Sequence, residues 1–383
     1  MAKFLWLNWS GGGNLPPSLG IARALTERGH EVVFAGRPEM LERVRDAGFR
    51  AIELERSYAQ LDRYPETPAA RMACYLTSPA VVDEARATIA AERPGMLLID
   101  AMFPAAFQAA ADVDVPSVAL FHHFLFRLRD EWNATGARLN AMRVQAGFPS
   151  LPPLAQLWKH CDRLVVTALP QFDTPADPSW ASVRHVGPVL EEERRAIPVR
   201  LPWHDDAAVP LVLASFSTAP EQRSLEKLQR TLDALAPLPV RVVATTGGVV
   251  DPDELSIPLN AFVVRYAQHD PILQRASLLI THGGHGTLMR SLKHGVPAIV
   301  MPGMAHDQAP NGRMLQELGA GIALPADADT AAIRAAAETA LTTPSYAARA
   351  KLLSRDLAGA DGAAKAATEI ESLLSLHIGG SHA

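Results

Sequence analysis

The sequence predicts two consecutive α/β domains, each built on a parallel sheet. Short apolar runs alternate with stretches of helical periodicity along most of the chain. Several of those runs end in small or polar residues. A charged, proline-broken segment divides the chain near its middle. The length of 383 residues suits two domains at roughly 150 residues each. Hydrophobic residues make up 48% and charged residues 20%, so each half can bury a core and wholesale disorder is excluded.

The elements follow in order. Phe4 to Trp9 is an apolar run that ends in Gly11, Gly12, Gly13 and Asn14. Leu15, Leu19, Ala22 and Leu25 then recur at spacings of three and four, which predicts a helix that Gly29 stops. Residues 31–35 read as the next strand. Residues 96–99 are a strand ending at Asp100, 117–121 one ending at His122 and His123, and 164–167 another. Residues 184–189 lead out of the first domain. Beyond them, clustered charge with Pro198, Pro202 and Pro210 reads as a linker. A second sheet starts with 210–218, followed by a helix over 220–236. Strands are expected at 241–248, 277–280 and 297–301, and an alanine-rich helical tail over 329–376. The expected organisation is a first domain over 1–190, a linker over 191–209, a second domain over 210–360 and a helical tail over 361–383.

Lys and Arg total 36 against 41 Asp and Glu, a net charge of −5, so no electrostatic footprint for nucleic acid or anionic membrane is present. Two isolated cysteines, Cys74 and Cys161, make neither a disulfide framework nor a thiolate zinc site, and point to a reducing compartment. The N-terminal apolar stretch, about six residues, is too short for the apolar region of a secretion signal. No run reaches the roughly 18 apolar residues of a membrane span. A cytoplasmic protein is expected, with a homodimer left open.

A parallel sheet binds ligands beyond the carboxyl ends of its strands. Four such ends are small and polar here: SGGGN (10–14), SFST (215–218), TTGG (245–248) and THGGHGT (281–287). For TTGG a plain tight turn is an equal alternative. THGGHGT is stronger, because a glycine loop opening a helix presents backbone N–H groups to an anion and a histidine can donate to a phosphate oxygen. Pro16 breaks the dinucleotide fingerprint in the first loop, and no P-loop pattern exists. His282 and His285 lack a third ligand nearby, so no metal site is expected.

The stretch YAQHDPILQRASLLITHGGHGTLMRSLKHGVPAIVMPGMAHDQAPNGRMLQELGAGIAL (266–324) closely resembles the donor-binding signature of family 1 nucleotide-sugar glycosyltransferases. GGNLPPSLGIARALTERGHEVVFA (12–35) resembles that family's opening segment. The resemblance implies the GT-B architecture: two Rossmann-like domains facing across a cleft, with a C-terminal helix crossing back. It implies an inverting, metal-independent transferase without a cofactor, using a nucleotide sugar as co-substrate and a small natural-product acceptor. Bacterial enzymes of that kind look most similar. Tyr266 matches the aromatic residue that stacks on a pyrimidine base, and His269 falls where Gln is usual. His282 matches the phosphate-binding histidine. Gly284, Gly286 and Thr287 match the diphosphate loop, and Thr218 a hydroxyl on the facing loop. Asp307 and Gln308 match the pair that bonds the donor sugar's hydroxyls.

Two positions depart from the pattern. The usual general base is a histidine in the opening segment, and the ungapped match puts Asn14 there; an amide cannot take a proton near neutral pH. Asp100 matches the carboxylate that orients that histidine. Direct action by Asp100 on an easily ionised acceptor is the favoured expectation, with His122 or His123 as alternatives. Arg290 stands where Glu often accepts from the ribose, and Arg accepts no hydrogen bond. Either a dTDP donor loses less than UDP, or Arg290 points to solvent. For ALFHHFLFRLRDEW (119–132), an acceptor pocket wall of His122, His123, Phe124, Phe126 and Trp132 competes evenly with core packing. The alternatives to a transferase are a sugar-nucleotide epimerase and a catalytically silent sugar-nucleotide binder.

Overall fold

The computed structural model describes residues 1–9, 12–55, 68–173, 180–191, 198–203, 208–217 and 222–380. The chain divides into two compact units, one comprising 1–191 with 361–383 and the other 192–360.

The first unit holds a seven-stranded sheet. Its strands are β1 (Lys3–Leu7), β2 (Glu31–Gly36), β3 (Arg50–Glu53), β4 (Met96–Asp100), β5 (Ser117–Phe121), β6 (Arg163–Val166) and β7 (Val183–His185). They lie in the order β3-β2-β1-β4-β5-β6-β7, every neighbouring pair parallel. Strands covered on both faces need continuous apolar runs, and β4 and β5 are buried throughout. Helices enter through proline, whose fixed φ suits a first turn: Pro38, Pro79 and Pro104 each open one. Gly29, at φ 86°, turns the chain out of the helix Leu15–Glu27 into β2.

Trp6 stacks on Phe34 at 5.3 Å in the core of this unit, among Phe4, Leu98 and Val118. Ile370 and Leu373 of the C-terminal helix Gly362–Gly380 join that core. That helix packs on Leu15–Glu27 and is fixed at its flank by Glu371, which pairs with Arg28 at 2.6 Å and with His30 at 2.9 Å. Its first residue must be small. A Cβ on Gly362 would lie 2.4 Å from the Gly187 carbonyl oxygen.

The second unit holds a six-stranded parallel sheet. Its strands are β8 (Leu211–Ser215), β9 (Arg241–Thr245), β10 (Ala261–Val264), β11 (Ala276–Thr281), β12 (Ala298–Val300) and β13 (Gly321–Ala323), in the order β10-β9-β8-β11-β12-β13. Val212, Ala214, Leu232, Val242, Ile280, Ile299 and Ile333 form its core. The helix expected over 220–236 spans Leu225–Leu235, and the alanine-rich tail is three helices: Thr330–Thr342, Pro344–Ala358 and Gly362–Gly380.

In both sheets the strand order reverses once in the interior, between β1 and β4 and between β8 and β11. The crossovers leave toward opposite sides there, which opens a crevice beyond the carboxyl ends of the two strands. At the first switch point Asn14 follows β1 and Asp100 ends β4, and in the second sheet His282 follows β11.

Candidate active site

In the second unit, β11 ends at Thr281 and hands the chain to His282. Gly283 adopts φ 92°, and a Cβ there would lie 2.6 Å from Val300 Cγ1, so only glycine passes. Gly284 caps the helix His285–Lys293, and a Cβ on it would lie 2.8 Å from His282 Nε2. The half-buried imidazole therefore rests against the start of that helix. The first intrahelical bond there runs from the Leu288 N–H to the Gly284 carbonyl at 3.1 Å. The earlier N–H groups of such a helix point out of its end with about half a positive charge. A Cβ on Gly286 would meet no heavy atom within 4 Å, so the approach is open. Burial, then the Lys227 charge, lower the His282 pKa to about 4 against a hydrogen bond to the Ser215 backbone. The ring is neutral near pH 7. It can give one N–H to an anion and gain charge as the anion arrives.

Other strand ends supply the neighbours. Thr245 donates to Ser215 Oγ at 2.8 Å, and Ser215 Oγ lies 3.4 Å from His269 Nε2. Burial and the Arg290 charge bring His269 to about 4 as well. Beyond β12, Asp307 caps the helix Gln308–Glu317 and is 9% exposed. Burial raises its carboxyl to about 6, opposed by its own N–H and by Asn311. Asn311 Nδ2 donates to Asp307 at 3.2 Å and to the Gly283 carbonyl at 2.8 Å, tying the two loops together. Gln308 accepts from the Gly303 N–H at 2.6 Å and donates to Gln222 at 2.8 Å. Lys227 donates to the carbonyls of Met301 (3.2 Å) and Pro302 (2.6 Å). Asn311, Gln222 and Lys227 were not singled out in the sequence; each sits one or more turns from a motif. Thr218 lies outside the described residues.

Tyr266 follows β10, three strands from β11, or about 14 Å at the usual strand spacing. Its hydroxyl occupies the space a Cβ on Gly248 would need, 2.0 Å away, and Gly248 has φ 73°. TTGG is thus a positive-φ turn that also seats Tyr266. The tyrosine borders a groove of about 510 Å³ lined by Phe262, Val264 and Arg200 among others.

Arg290 does not point to solvent, contrary to one of its two expected roles. It is 8% exposed and pairs with Asp270, whose other oxygen lies 2.5 Å from His294 Nε2. Burial alone would raise the Asp270 carboxyl; the His294 hydrogen bond and the Arg290 charge outweigh it and hold it at about 2. A carboxylate with 29% side-chain exposure therefore stands beside position 290.

In the first unit, the ends of β1, β4 and β5 bring Asn14, Asp100 and His122 together. Asp100 is 0% exposed. Its Oδ1 accepts from Trp9 Nε1 and from the Met102 N–H, each at 2.9 Å, and its Oδ2 accepts from Asn14 Nδ2 at 3.0 Å. Burial raises its carboxyl to about 6 against those three donors. The expectation that Asp100 itself faces an acceptor meets this enclosure: no part of the carboxylate is on the surface. Asn14, 1% exposed, also donates to Asn8 Oδ1 at 2.9 Å and to the Trp9 carbonyl at 2.8 Å. His122 keeps 14% side-chain exposure, and its Nδ1 lies 3.7 Å from Asp100 Oδ2. That is too long for a hydrogen bond and within ion-pair range once the ring is charged.

The aromatic wall is mostly core. Phe124 is 0% exposed, Trp132 1% and His123 2%, while His122 and Phe126 are half-buried. The apolar surface of these rings favours packing against Phe121 and Trp158 over exposure. Among the described residues no helix is long and apolar enough to cross a membrane.

Two parallel-sheet units, each with polar residues gathered at its switch point, are the arrangement expected of a GT-B glycosyltransferase. Residues 229–373 match the family described as erythromycin biosynthesis protein CIII-like, C-terminal domain. The chain is 24% identical over 387 residues to the NDP-glycosyltransferase YjiC of Bacillus subtilis (strain 168), covering 94% of this chain and 95% of that one. Its fold is that of CalG4, the calicheamicin glycosyltransferase, with TM-score 0.77 and 23% identity over 98% of both chains. It is also that of the spinosyn rhamnosyltransferase SpnG, with TM-score 0.74 and 21% identity over 97% of this chain and 99% of that one. By these likenesses the chain is a glycosyltransferase of GT-B fold, similar to the family 1 NDP-glycosyltransferases. The named relatives are transferases, which favours the transferase reading over the epimerase alternative.

Proposed function

We propose that this glycosyltransferase moves a sugar from a pyrimidine nucleoside diphosphate to a small apolar or aromatic natural product, with inversion at the anomeric carbon. The observation that carries the reading is the seat at His282, where a neutral imidazole, a glycine loop and an open helix N-terminus converge at the switch point of the second sheet. Such a seat suits a diphosphate and the charge it gains on leaving. The names of two structural neighbours, a calicheamicin glycosyltransferase and a spinosyn rhamnosyltransferase, support a natural-product acceptor.

His282, the Gly284 and Gly286 backbone and Thr287 hold the diphosphate. Tyr266 stacks on the base. Asp307 and Gln308 bond the sugar hydroxyls; Gln308 exchanges its bond to Gln222 to do so. The carboxylate missing at position 290 is supplied by Asp270, steadied by Arg290 and His294, so a ribose hydroxyl keeps its acceptor. On this reading a dTDP donor no longer loses less than a UDP donor at position 290.

The base is His122, the group at this switch point that combines exposure with a carboxylate behind it. The acceptor oxygen forms its bond to the anomeric carbon from the face opposite the diphosphate. The bond from that carbon to the diphosphate oxygen breaks and its electron pair leaves with the nucleotide. The acceptor's proton passes to His122 Nε2, and Asp100 balances the imidazolium at Nδ1. Apo geometry at such sites is often long and tightens with substrate. An acceptor that ionises easily lowers the demand on this step.

The test offers UDP-glucose, dTDP-glucose and GDP-glucose with a phenolic acceptor and reads the product anomer by NMR. The expected result is a β-glucoside from the pyrimidine donors. An α-glucoside, or equal use of GDP-glucose, contradicts the reading. In the same assay UDP should compete better than 2′-deoxy-UDP, and Asp270→Asn should erase that difference.

A further inference from the structure

Asp173 is a carboxylate that the reaction above does not use. It follows the 3-10 turn Pro170–Phe172 beyond β6 and is 1% exposed. Its Oδ1 accepts from the backbone N–H groups of Phe126 and Arg127, both at 2.8 Å. Its Oδ2 accepts from the Leu125 N–H at 3.0 Å and lies 3.0 Å from His185 Nε2 at the end of β7. The Arg127 side chain returns the grip, donating through Nε to the Phe172 carbonyl at 3.1 Å. Three consecutive backbone N–H groups converging on one anion form a nest, and a charged acceptor is the group that satisfies them together.

The nest begins one residue after Phe124, and the contacts run from there to His122. The Phe124 carbonyl accepts from Trp132 Nε1 at 3.1 Å, and His123 Nδ1 lies 3.1 Å from it. The His123 ring lies on Trp132, with centroids 4.8 Å apart and planes 31° from parallel. The His122 ring stands edge-on to His123 at 4.4 Å. His122 then faces Asp100. Where the segment 125–127 lies thus decides where the Phe124 carbonyl lies, and through it the stack against which His122 is braced.

We propose that Asp173 is a positioning residue for the acceptor half of the reaction: its carboxylate fixes the backbone of 125–127 and so sets the attitude of His122 to Asp100. The inference rests on the reading of His122 as the base. It explains why a charged side chain sits buried in a loop at the sheet's end, where a neutral one would leave N–H groups unsatisfied. Asparagine has the same shape but one acceptor oxygen, and its NH₂ would face two of the four donors.

The experiment compares transfer to 4-nitrophenol, ionised at the working pH, with transfer to an unactivated phenol that must lose its proton during attack. Calorimetric binding of UDP is the control for the donor half. Asp173→Asn should slow the unactivated phenol about tenfold or more relative to 4-nitrophenol, within what a base contributes, and leave the UDP affinity within about twofold. In a His122→Ala background the same substitution should add less than about threefold, because residues acting through one another are not additive. If Asp173→Asn does not fold, His185→Ala removes one of the four donors and should change the same ratio in the same direction by a smaller factor. An equal loss on both acceptors, losses that multiply in the double variant, or an unchanged ratio in His185→Ala overturns the proposal. If His122→Ala itself leaves the ratio unchanged, the assignment of the base fails and this inference with it. If His122→Ala collapses the ratio and Asp173→Asn does not, only the role of Asp173 fails.

Discussion

Asp100 is raised to about 6 by burial, and Asn14, Met102 and Trp9 hold it from going higher. In the proposed mechanism its charge stabilises the His122 imidazolium, so activity should fall as the pH drops through about 6, a limb belonging to the Asp100–His122 pair. Asn14→Ala removes one of the three donors to the carboxylate. Losing it favours the protonated acid, so the acid limb of kcat/KM should move to higher pH while activity above the limb persists. Asp100→Asn should lose roughly 10²–10⁴-fold at every pH, the range for a disabled base. An acid limb unmoved by Asn14→Ala would mean that Asn14 acts on the acceptor and not on Asp100. The sequence pointed to Asn14 through the family resemblance, to Asp100 through that resemblance and a strand end, and to His122 through a strand end. It could not show that Asp100 is enclosed, because the indole that covers it, Trp9, lies 91 positions away. The Arg290–Asp270 pair and the Gln222–Gln308 bond escape for the same reason: separations of 20 and 86 residues leave no periodic trace.

The glycine loop and the helix it opens give the sharpest contrast between neighbouring elements. A Cβ on Gly284 would press on His282 Nε2 at 2.8 Å, whereas one on Gly286 would meet nothing within 4 Å. Gly284→Ala should therefore displace the imidazole and lower kcat by about tenfold or more, since a small misplacement of a catalytic group is costly. Gly286→Ala should leave the melting temperature close to that of the parent. Equal effects of the two substitutions on kcat would show that the ring does not depend on this packing. The strands split the same way in how readable they are. Interior strands such as β4 and β5, buried on both faces, stand out as apolar runs. The edge strands β3, β7 and β10 did not, because every residue of β7 and β10 is only half-buried, and β3 carries exposed Arg50 and Glu53 at its ends. Phe124 and Trp132 were ambiguous because an aromatic run suits a pocket or a core equally, and packing decided for the core.

At the scale of the whole molecule, the two sheets place their chemistry by one rule. Each gathers polar residues where its strand order reverses, with Asp100 and His122 in the first unit and His282 and Ser215 in the second. Tracing which short runs were strands was enough to find both places, since the ends of parallel strands and the loops after them are adjacent in sequence. The C-terminal helix, read from its alanine-rich periodicity, completes the core of the first unit through Ile370 and Leu373. The proposed division of labour, donor chemistry in the second unit and proton transfer in the first, rests first on the proposed diphosphate seat. The most direct measurement is calorimetric titration of UDP into the intact protein and into His282→Ala, at neutral pH, with circular dichroism confirming that both are folded. The seat predicts that His282→Ala weakens UDP binding by about tenfold or more, roughly the 1.4 kcal/mol or above that a hydrogen bond to a charged group contributes. Equal UDP affinity in the two folded proteins would contradict the placement of the diphosphate at His282.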